Sequence, residues 1–412
     1  MLTYDTPRAL RPLFHLILFV KEVDVLLLTV RLAVMFTHRT PIRIFGALIL
    51  STVQFINCAQ SSSDNKIDEP EYLSGIKTSL GLLGQAANRN GSGISVGPNN
   101  LPVVAFTDAN GAPMRAHAFR HITATSWEDL AYPSDGDVNE VDIAVDQLNN
   151  AIAIFPDSTN SHKVTIRKTG PVNLGAYSGS TNTSNTHIRI PSDNLPVIVF
   201  RDPASGDRAH VMKWQSGLVW TDLGYASTNS ATGITLDLTS DGKPVVGYLD
   251  NALNRPRVAI WNSGVSWTDL GIPKDVNVDM SGCNSLVVDK KTNRPIVNFE
   301  EVSAGYKARV MRWVTGTTWE DLGFGSTGEG NCAPMAIGAD GKPLVLSRDG
   351  GTTNFLHLMK WQAATSWKDF GTLNSSEPYS FGIAVAPNKS VYVTFANFSG
   401  TNMNQQQVWR ID

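Results

Sequence analysis

Residues 234–271, ITLDLTSDGKPVVGYLDNALNRPRVAIWNSGVSWTDLG, are the clearest copy of a unit that recurs along most of the chain. The unit reads as four short strands. Residues 234–238 alternate apolar and polar side chains, Ser240-Asp241-Gly242-Lys243 makes a turn, and 244–249 is a second β-rich run. A polar loop over 250–256 leads to a third strand at 257–261 and a fourth at 267–270. Asp-Gly between two alternating runs signals a hairpin, because such turns need positive φ and glycine supplies it without strain.

Three markers give the period. The Pro244 position recurs as Pro102, Ala151, Pro196, Pro295, Pro343 and Val391, at spacings of 45–51 residues. The Trp261 position recurs as Phe119, Ile166, Trp214, Trp313, Trp361 and Trp409. The fourth-strand Trp267 recurs as Trp127, Pro171, Trp220, Trp319 and Trp367, usually followed by Asp-Leu-Gly. A period near 48 falls in the range of four-stranded propeller blades. The expected fold is therefore all-β, a seven-bladed β-propeller of four-stranded blades.

Seven sets of strands one to three are present, but only six downstream fourth strands; the seventh would fall beyond Asp412. At the other end, Leu80-Gly81-Leu82-Leu83-Gly84 lies 47 residues before Trp127 and resembles the Trp-x-Asp-Leu-Gly signature. The N-terminal segment is expected to supply the missing outer strand of the last blade, which closes the ring and removes two open sheet edges. An open row of repeats would need capping repeats at its ends, and neither end reads as one.

The length of 412 residues alone suggests two or three domains, but the repeat argues for one ring. With 17% charged residues, a net charge of −3 and no basic cluster, nothing points to nucleic acid.

The first 57 residues follow a different pattern. Residues 13–36 are apolar but hold Lys21, Glu22, Asp24 and Arg31, each costing about 2.5–3.5 kcal/mol near a bilayer centre. Residues 44–56 are uncharged and follow His38, Arg39 and Arg43, the layout of an export signal. Phe55-Ile56-Asn57-Cys58 comes next and resembles a bacterial lipoprotein signal, in the looser form found in spirochaetes. It departs from the usual pattern at Phe55, where Leu is common, and at Asn57, where Gly, Ala or Ser is common. That resemblance implies acylation of Cys58, and the alternative is a conventional cleaved signal. Met35 gives a better start than Met1, so 1–57 is expected to be a signal region and 1–34 a mis-called extension. Residues 58–75 then form a lipid-anchored tether and 76–412 the propeller. The only membrane contact expected is through the lipid. Ala59, rather than an Asp after the cysteine, favours the outer membrane or cell surface within the cell envelope.

Cys283 and Cys332 lie 12 and 11 residues before their Pro markers, at equivalent innermost-strand positions of neighbouring blades. An oxidising compartment would permit a disulfide between them, with two buried free thiols as the alternative.

An acid ends the second strand in six units: Asp108, Asp157, Asp202, Asp250, Glu301 and Asp349. Four residues before each third-strand marker stand Arg115, His162, His210, Arg257, Arg309 and His357. The two series face each other across the second-to-third-strand loop. They read as one structural acid–base clasp per blade; the sharper alternative is a ring of polar sites, as in multivalent lectins. The tryptophans read likewise as packing between blades rather than as sugar-stacking platforms. The Asp of Trp-x-Asp-Leu-Gly is expected to hold the outer turn.

Departures from the repeat are better guides to function. The loops between blades, and the loops between strands two and three, are polar and lie on one rim around the channel mouth. Glu300, Glu301, Tyr306, His121 and Arg201 are the residues singled out there, for engaging carbohydrate or protein. No catalytic constellation is present: no His-Glu-x-x-His, no Gly-x-Ser-x-Gly and no Cys/His metal spacing, so neither metal nor cofactor is expected. The turns at 239–243 (TSDGK) and 339–342 (ADGK) lack the Ser-x-Asp-x-Gly-x-Thr-Trp pattern of sialidases. Two rim acids paired for glycoside chemistry stay open.

In blade rhythm the repeat region resembles lectin-like and sialidase-like bacterial seven-bladed propellers. The resemblance implies a fold and not an activity. The function expected is an exported, lipid-anchored envelope protein that binds carbohydrate or protein on one rim. A glycan-acting hydrolase or lyase on that rim is the alternative, and a scaffold within the envelope a third reading.

Overall fold

The computed structural model describes residues 73–85, 92–108, 113–131, 134–169, 172–176, 181–279, 284–330, 333–350, 354–374, 377–397 and 404–412. Cys58, Cys283 and Cys332, the signal region and most of the tether lie outside the described residues.

Seven four-stranded antiparallel sheets follow one another along the chain. The first six blades span residues 92–129, 142–176, 184–225, 231–269, 284–329 and 335–372. Within each, the strands pair in sequence order, as alternation with short polar turns dictates. The seventh sheet is composite. Residues 378–411 supply three strands, and Lys77–Gln85 pairs antiparallel with Gln405–Ile411 as the fourth, Ser79 facing Trp409. The ring is thus closed by the opening β-segment of the propeller, as the missing fourth strand requires.

The core is not one mass but seven slabs, each between the faces of adjacent blades. Between the third and fourth blades, for example, Val199 and Val211 pack on Leu236, Val246 and Tyr248. The slab between the seventh and first joins Leu80 and Val408 to Val104 and Phe106. Second strands are buried on both faces, so Pro102–Asp108, Ala151–Asp157 and Pro244–Asp250 are buried along their whole length. Their near-continuous apolar runs follow from that position, because neither face of a middle strand meets water.

The Trp-x-Asp-Leu-Gly motif joins one blade to the next. The indole N–H of Trp220, Trp267, Trp319 and Trp367 donates to the carbonyl of Leu174, Leu223, Leu270 and Leu322 in the preceding blade, at 2.7–3.0 Å. Asp222, Asp269, Asp321 and Asp369 accept from the N–H two residues on, at 2.7–2.9 Å, and hold the outer turn. The glycine sits at positive φ, as at Gly323 (φ 86°), where a Cβ would lie 2.8 Å from the Thr365 carbonyl of the next blade. Only glycine meets both demands.

The third-strand register differs from the sequence expectation in three blades. Trp214, Trp261, Trp313 and Trp361 pair with the fourth-strand tryptophan and donate to a carbonyl of the hairpin beyond. In the first blade this place belongs to His121, which pairs with Trp127 and hydrogen-bonds the Ala124 carbonyl at 2.9 Å, and not to Phe119. In the second it is Thr169, whose N–H bonds Ala151 as that of Trp214 bonds Pro196. In the seventh it is Ile411, opposite Lys77. The slip is two residues in the first and seventh blades and three in the second; where it is two, alternation is blind to it, because a strand repeats its facing every two residues.

Candidate binding site at the channel mouth

The acids and bases of the second-to-third-strand loops assemble into three-membered bridges. Arg309 spans Glu301 (Nε–Oε2 2.7 Å) and Asp321 (Nη1–Oδ2 2.9 Å), with its guanidinium 3.9 Å over the Phe324 ring. Arg257 lies 3.5 Å from Asp250 and also contacts Asp269. His210 lies between Asp202 (3.3 Å) and Asp222 (2.9 Å), and His357 between Asp349 (3.6 Å) and Asp369 (2.8 Å). The third member in each case is the aspartate of the Trp-x-Asp motif, so one base fastens strands two, three and four. Sequence reasoning had given that aspartate the outer turn alone; it does both.

The register slip changes two members of this set. In the first blade the imidazole between Asp108 (3.0 Å) and Asp129 (2.7 Å) is that of His117, while Arg115 stands directly opposite Asp108 in the ladder. In the second, His162 sits in the turn at φ 52° and meets Asp157 through its backbone N–H (2.8 Å). The ring position there is Thr165, and Asp157 caps Thr159 instead, through N–H (2.9 Å) and hydroxyl (2.6 Å).

The rim residues separate as well. His121 lies at the hairpin between strands three and four, on the face opposite the rim, because strand ends alternate between faces in an antiparallel blade. Arg201 and Glu300 are one repeat position in two blades, each directly before the acid that ends strand two. Arg201 pairs with Asp207 at 2.8 Å. Glu300 is buried, and its carbonyl accepts from Asp279 N–H at 3.1 Å. Tyr306 is exposed on the rim in a left-handed turn. Of the five, Arg201 alone also lines the central channel.

That channel, about 1110 Å³, is walled by the first strands of all seven blades. Those strands are the inner edges of their sheets, and side chains from neighbouring blades satisfy the exposed backbone groups. Asp237 accepts from Val288 N–H (2.6 Å) and Lys290 Nζ (2.8 Å); Ser285 accepts from Met335 N–H (3.0 Å). Ser92 donates to the Ser380 carbonyl at 2.7 Å.

The wall from the second and third blades carries more charge than this fastening needs. Asp142 Oδ2 accepts from Arg189 Nη1 (2.9 Å) and Ile188 N–H (3.1 Å), and lies 3.3 Å from His187 Nδ1. Glu140 Oε1 accepts from Thr186 N–H at 2.9 Å. Burial pushes the Glu140 carboxyl up, partly offset by the Thr186 and Asn185 amides. Burial would raise Asp142 too, but Arg189, His187 and the Ile188 amide together hold it well below the usual carboxylate range. Two carboxyls on one inner strand entrance are thereby pushed in opposite directions.

Ser380 is strained for its residue type (φ 51°), at the bulge of the first strand of the seventh blade. Its hydroxyl is buried on the channel wall without a hydrogen-bond partner among the described residues. Asn185 and Gly233 adopt the same left-handed backbone at the equivalent bulges of the third and fourth blades. Sequence reasoning missed Glu140, Asp142, His187, Arg189 and Ser380. The available signal was positional: at the Asp142 and His187 sites the other blades hold Gly93, Thr235, Ser285, Pro334 and Gly382.

No protein-family model matches the chain, and no curated protein matches it. Among solved structures, a polysaccharide lyase superposes with a TM-score of 0.51 at 10% identity, covering 80% of this chain and 91% of its own. The Aleuria aurantia lectin in complex with Fucα1-6GlcNAc gives 0.48 at 13% identity, over 71% of this chain and 98% of the lectin. The Penicillium chrysogenum α-L-arabinanase complexed with arabinobiose gives 0.46 at 12%, over 81% and 98%. At such identities the likeness is one of fold, and the chain is a seven-bladed β-propeller with lectins and glycan-acting enzymes among its structural neighbours.

Proposed function

We propose that the protein is an exported, lipid-anchored envelope protein that binds carbohydrate at the mouth of its central channel. The observation that carries the reading is the polar wall of the second and third blades, where Glu140, His187, Arg189 and Arg201 face a cavity of about 1110 Å³. Concave sites with a few convergent donors and acceptors are where small polar ligands bind. Bidentate donors beside acceptors suit the paired hydroxyls of a sugar ring, and the polysaccharide lyase shares the fold. The repeated bridges and tryptophans need no ligand to explain them.

A glycan array with the full chain, followed by titration calorimetry, tests the reading. His187→Ala and Arg201→Ala are expected to lower affinity at least tenfold, with only a small drop in melting temperature from the lost contacts to Asp142 and Asp207. Binding that survives both, or binding to a protein partner and no glycan, would move the site elsewhere. Palmitate labelling that is lost in Cys58→Ala tests the anchor.

A second reading, a glycan-acting hydrolase or lyase, draws on the opposed carboxyls. A carboxyl raised by burial beside one held low by its cationic partners is the kind of arrangement that can divide the roles of proton donor and charge stabiliser. Turnover of a polysaccharide panel that disappears in Glu140→Gln while binding persists would select it.

A further inference from the structure

A second concavity lies away from the channel, in the crevice between the outer strands of the fifth and sixth blades. It encloses about 470 Å³ and is lined by Arg309, Gly323 and Phe324 of the fifth blade and by Met359, Thr365 and Trp367 of the sixth. None of these residues lines the channel. Its volume falls in the range of small-molecule sites.

The fifth blade departs from the repeat at this place. Phe324 stands opposite the bridging base Arg309, where other blades set Tyr225 opposite His210, Ala176 opposite Thr165 and Thr372 opposite His357. The fourth blade has an arginine, Arg257, but Ile272 follows its glycine. Among the described residues, an arginine and an aromatic ring meet at this repeat position in the fifth blade alone.

The pairing fixes the guanidinium. Arg309 donates from Nε to Glu301 (2.7 Å) and from Nη1 to Asp321 (2.9 Å), and it lies 3.9 Å over the Phe324 ring. Nη2 is left with its N–H groups uncommitted among the described residues. Lys274 adds a second cation to Asp321 at 2.9 Å, so two carboxylates meet two cations and the cluster is neutral as a whole. The remaining wall offers the Met359 thioether, the exposed Thr365 and the Trp367 indole, whose N–H already donates to the Leu322 carbonyl.

We infer that this crevice is a binding site of its own, for a single neutral sugar ring. A guanidinium edge held in place beside carboxylate oxygens matches adjacent hydroxyls, each of which both donates and accepts, and holding it beforehand lowers the cost of binding. The carbon surfaces of Met359, Phe324 and Trp367 match the C–H face of a pyranose. A free anion is disfavoured, because it would meet Glu301 and Asp321 around a cation they already neutralise. The bridges of the other blades need no ligand; the departure in the fifth is what calls for one. The site shares a ligand class with the channel mouth but none of its residues, so either binds without the other.

Two methionines report the two places separately, Met359 in the crevice and Met335 on the channel wall. The full chain, isotope-labelled at its methionine methyl groups and assigned through Met359→Leu and Met335→Leu, is titrated by NMR with methyl glycosides of neutral hexoses and deoxyhexoses, and with sodium sulfate. At least one glycoside is expected to shift the Met359 signal saturably, and sulfate is not. Arg309→Lys keeps the charge without the forked donors and should weaken that response at least tenfold. Thr365→Phe fills the crevice from an exposed tip and should abolish the response; it decides alone if Arg309→Lys does not fold. No Met359 shift with any glycoside, a shift that survives Thr365→Phe, or a stronger response to sulfate overturns the inference. A response confined to Met335 also overturns it while upholding the channel-mouth reading. A response at Met359 that persists in His187→Ala/Arg201→Ala upholds the crevice whatever becomes of the channel.

Discussion

The indole N–H of Trp127 donates to the carbonyl of Leu80 at 2.8 Å, across 47 residues of sequence. Leu80 belongs to the strand that completes the seventh blade, so this bond ties the outer strand of the last blade to that of the first. It is the counterpart of the bonds between the other tryptophans and the leucines before them, and it shows that the closing strand makes the same junction as a covalently continuous one.

Trp127→Ala is therefore expected to destabilise the whole ring by about 2–3 kcal/mol, less than a fully buried tryptophan because part of the ring is exposed. Denaturant unfolding measures it. Deleting Lys77–Gln85 removes the acceptor and uncovers the edge of Gln405–Ile411, and the product should aggregate on size-exclusion chromatography.

Arg309→Ala leaves the buried Glu301 carboxylate and Asp321 without their shared cation and uncovers the Phe324 face. The expected loss is about 3 kcal/mol by urea unfolding. Adding Glu301→Gln should restore part of it, since the buried charge is what the single variant strands.

Acid should weaken the fold through carboxylates held below their ordinary range. Burial works against Glu301 and Asp321, but Arg309 and Ser303 at the first, and Lys274, the Gly323 amide and Arg309 at the second, lower both. A lowered folded pKa gives stability that is present above the unfolded value, about 4, and is lost as pH falls through the folded one. Glu140 runs the other way. Its burial raises the carboxyl, so stability falls as pH rises from its unfolded value through the raised one. Glu140→Gln should flatten that limb only, in melting temperatures taken across pH.

Gly323→Ala would place a Cβ 2.8 Å from the Thr365 carbonyl at φ 86°. A destabilisation above about 2 kcal/mol is expected, because strain and a backbone clash add. Gly316→Ala, with positive φ but nothing near its Cβ, should cost less; the two melts compared separate clash from strain.

Asp142→Asn keeps one oxygen for the Ile188 amide but removes the charge that faces Arg189. A loss of about 1–2 kcal/mol is expected, measured by thermal unfolding. The freed guanidinium should also raise affinity for acidic over neutral glycans on the array.

Much of the architecture was legible before any coordinates. Tryptophans, prolines and Asp-Leu-Gly triplets recur because every blade must bury the same faces and turn at the same places. A missing fourth strand and a matching N-terminal segment then fixed how the ring closes. The candidate site was less legible. Arg201 was singled out, but for the rim, and His121 was misplaced, because a marker chosen as Phe119 is off by an even number of residues.

What the sequence by itself determined is the periodic part: blade number, strand order and closure, all set by local alternation and by turn chemistry within about fifty residues. The tertiary structure alone decided which side chains meet between blades. His117 takes the bridging place between Asp108 and Asp129, and Asp142 meets His187 and Arg189 across a blade interface. The physical reason is parity. A strand slipped by two residues buries the same face, so hydrophobic pattern cannot choose between registers; only packing against the neighbouring sheet does.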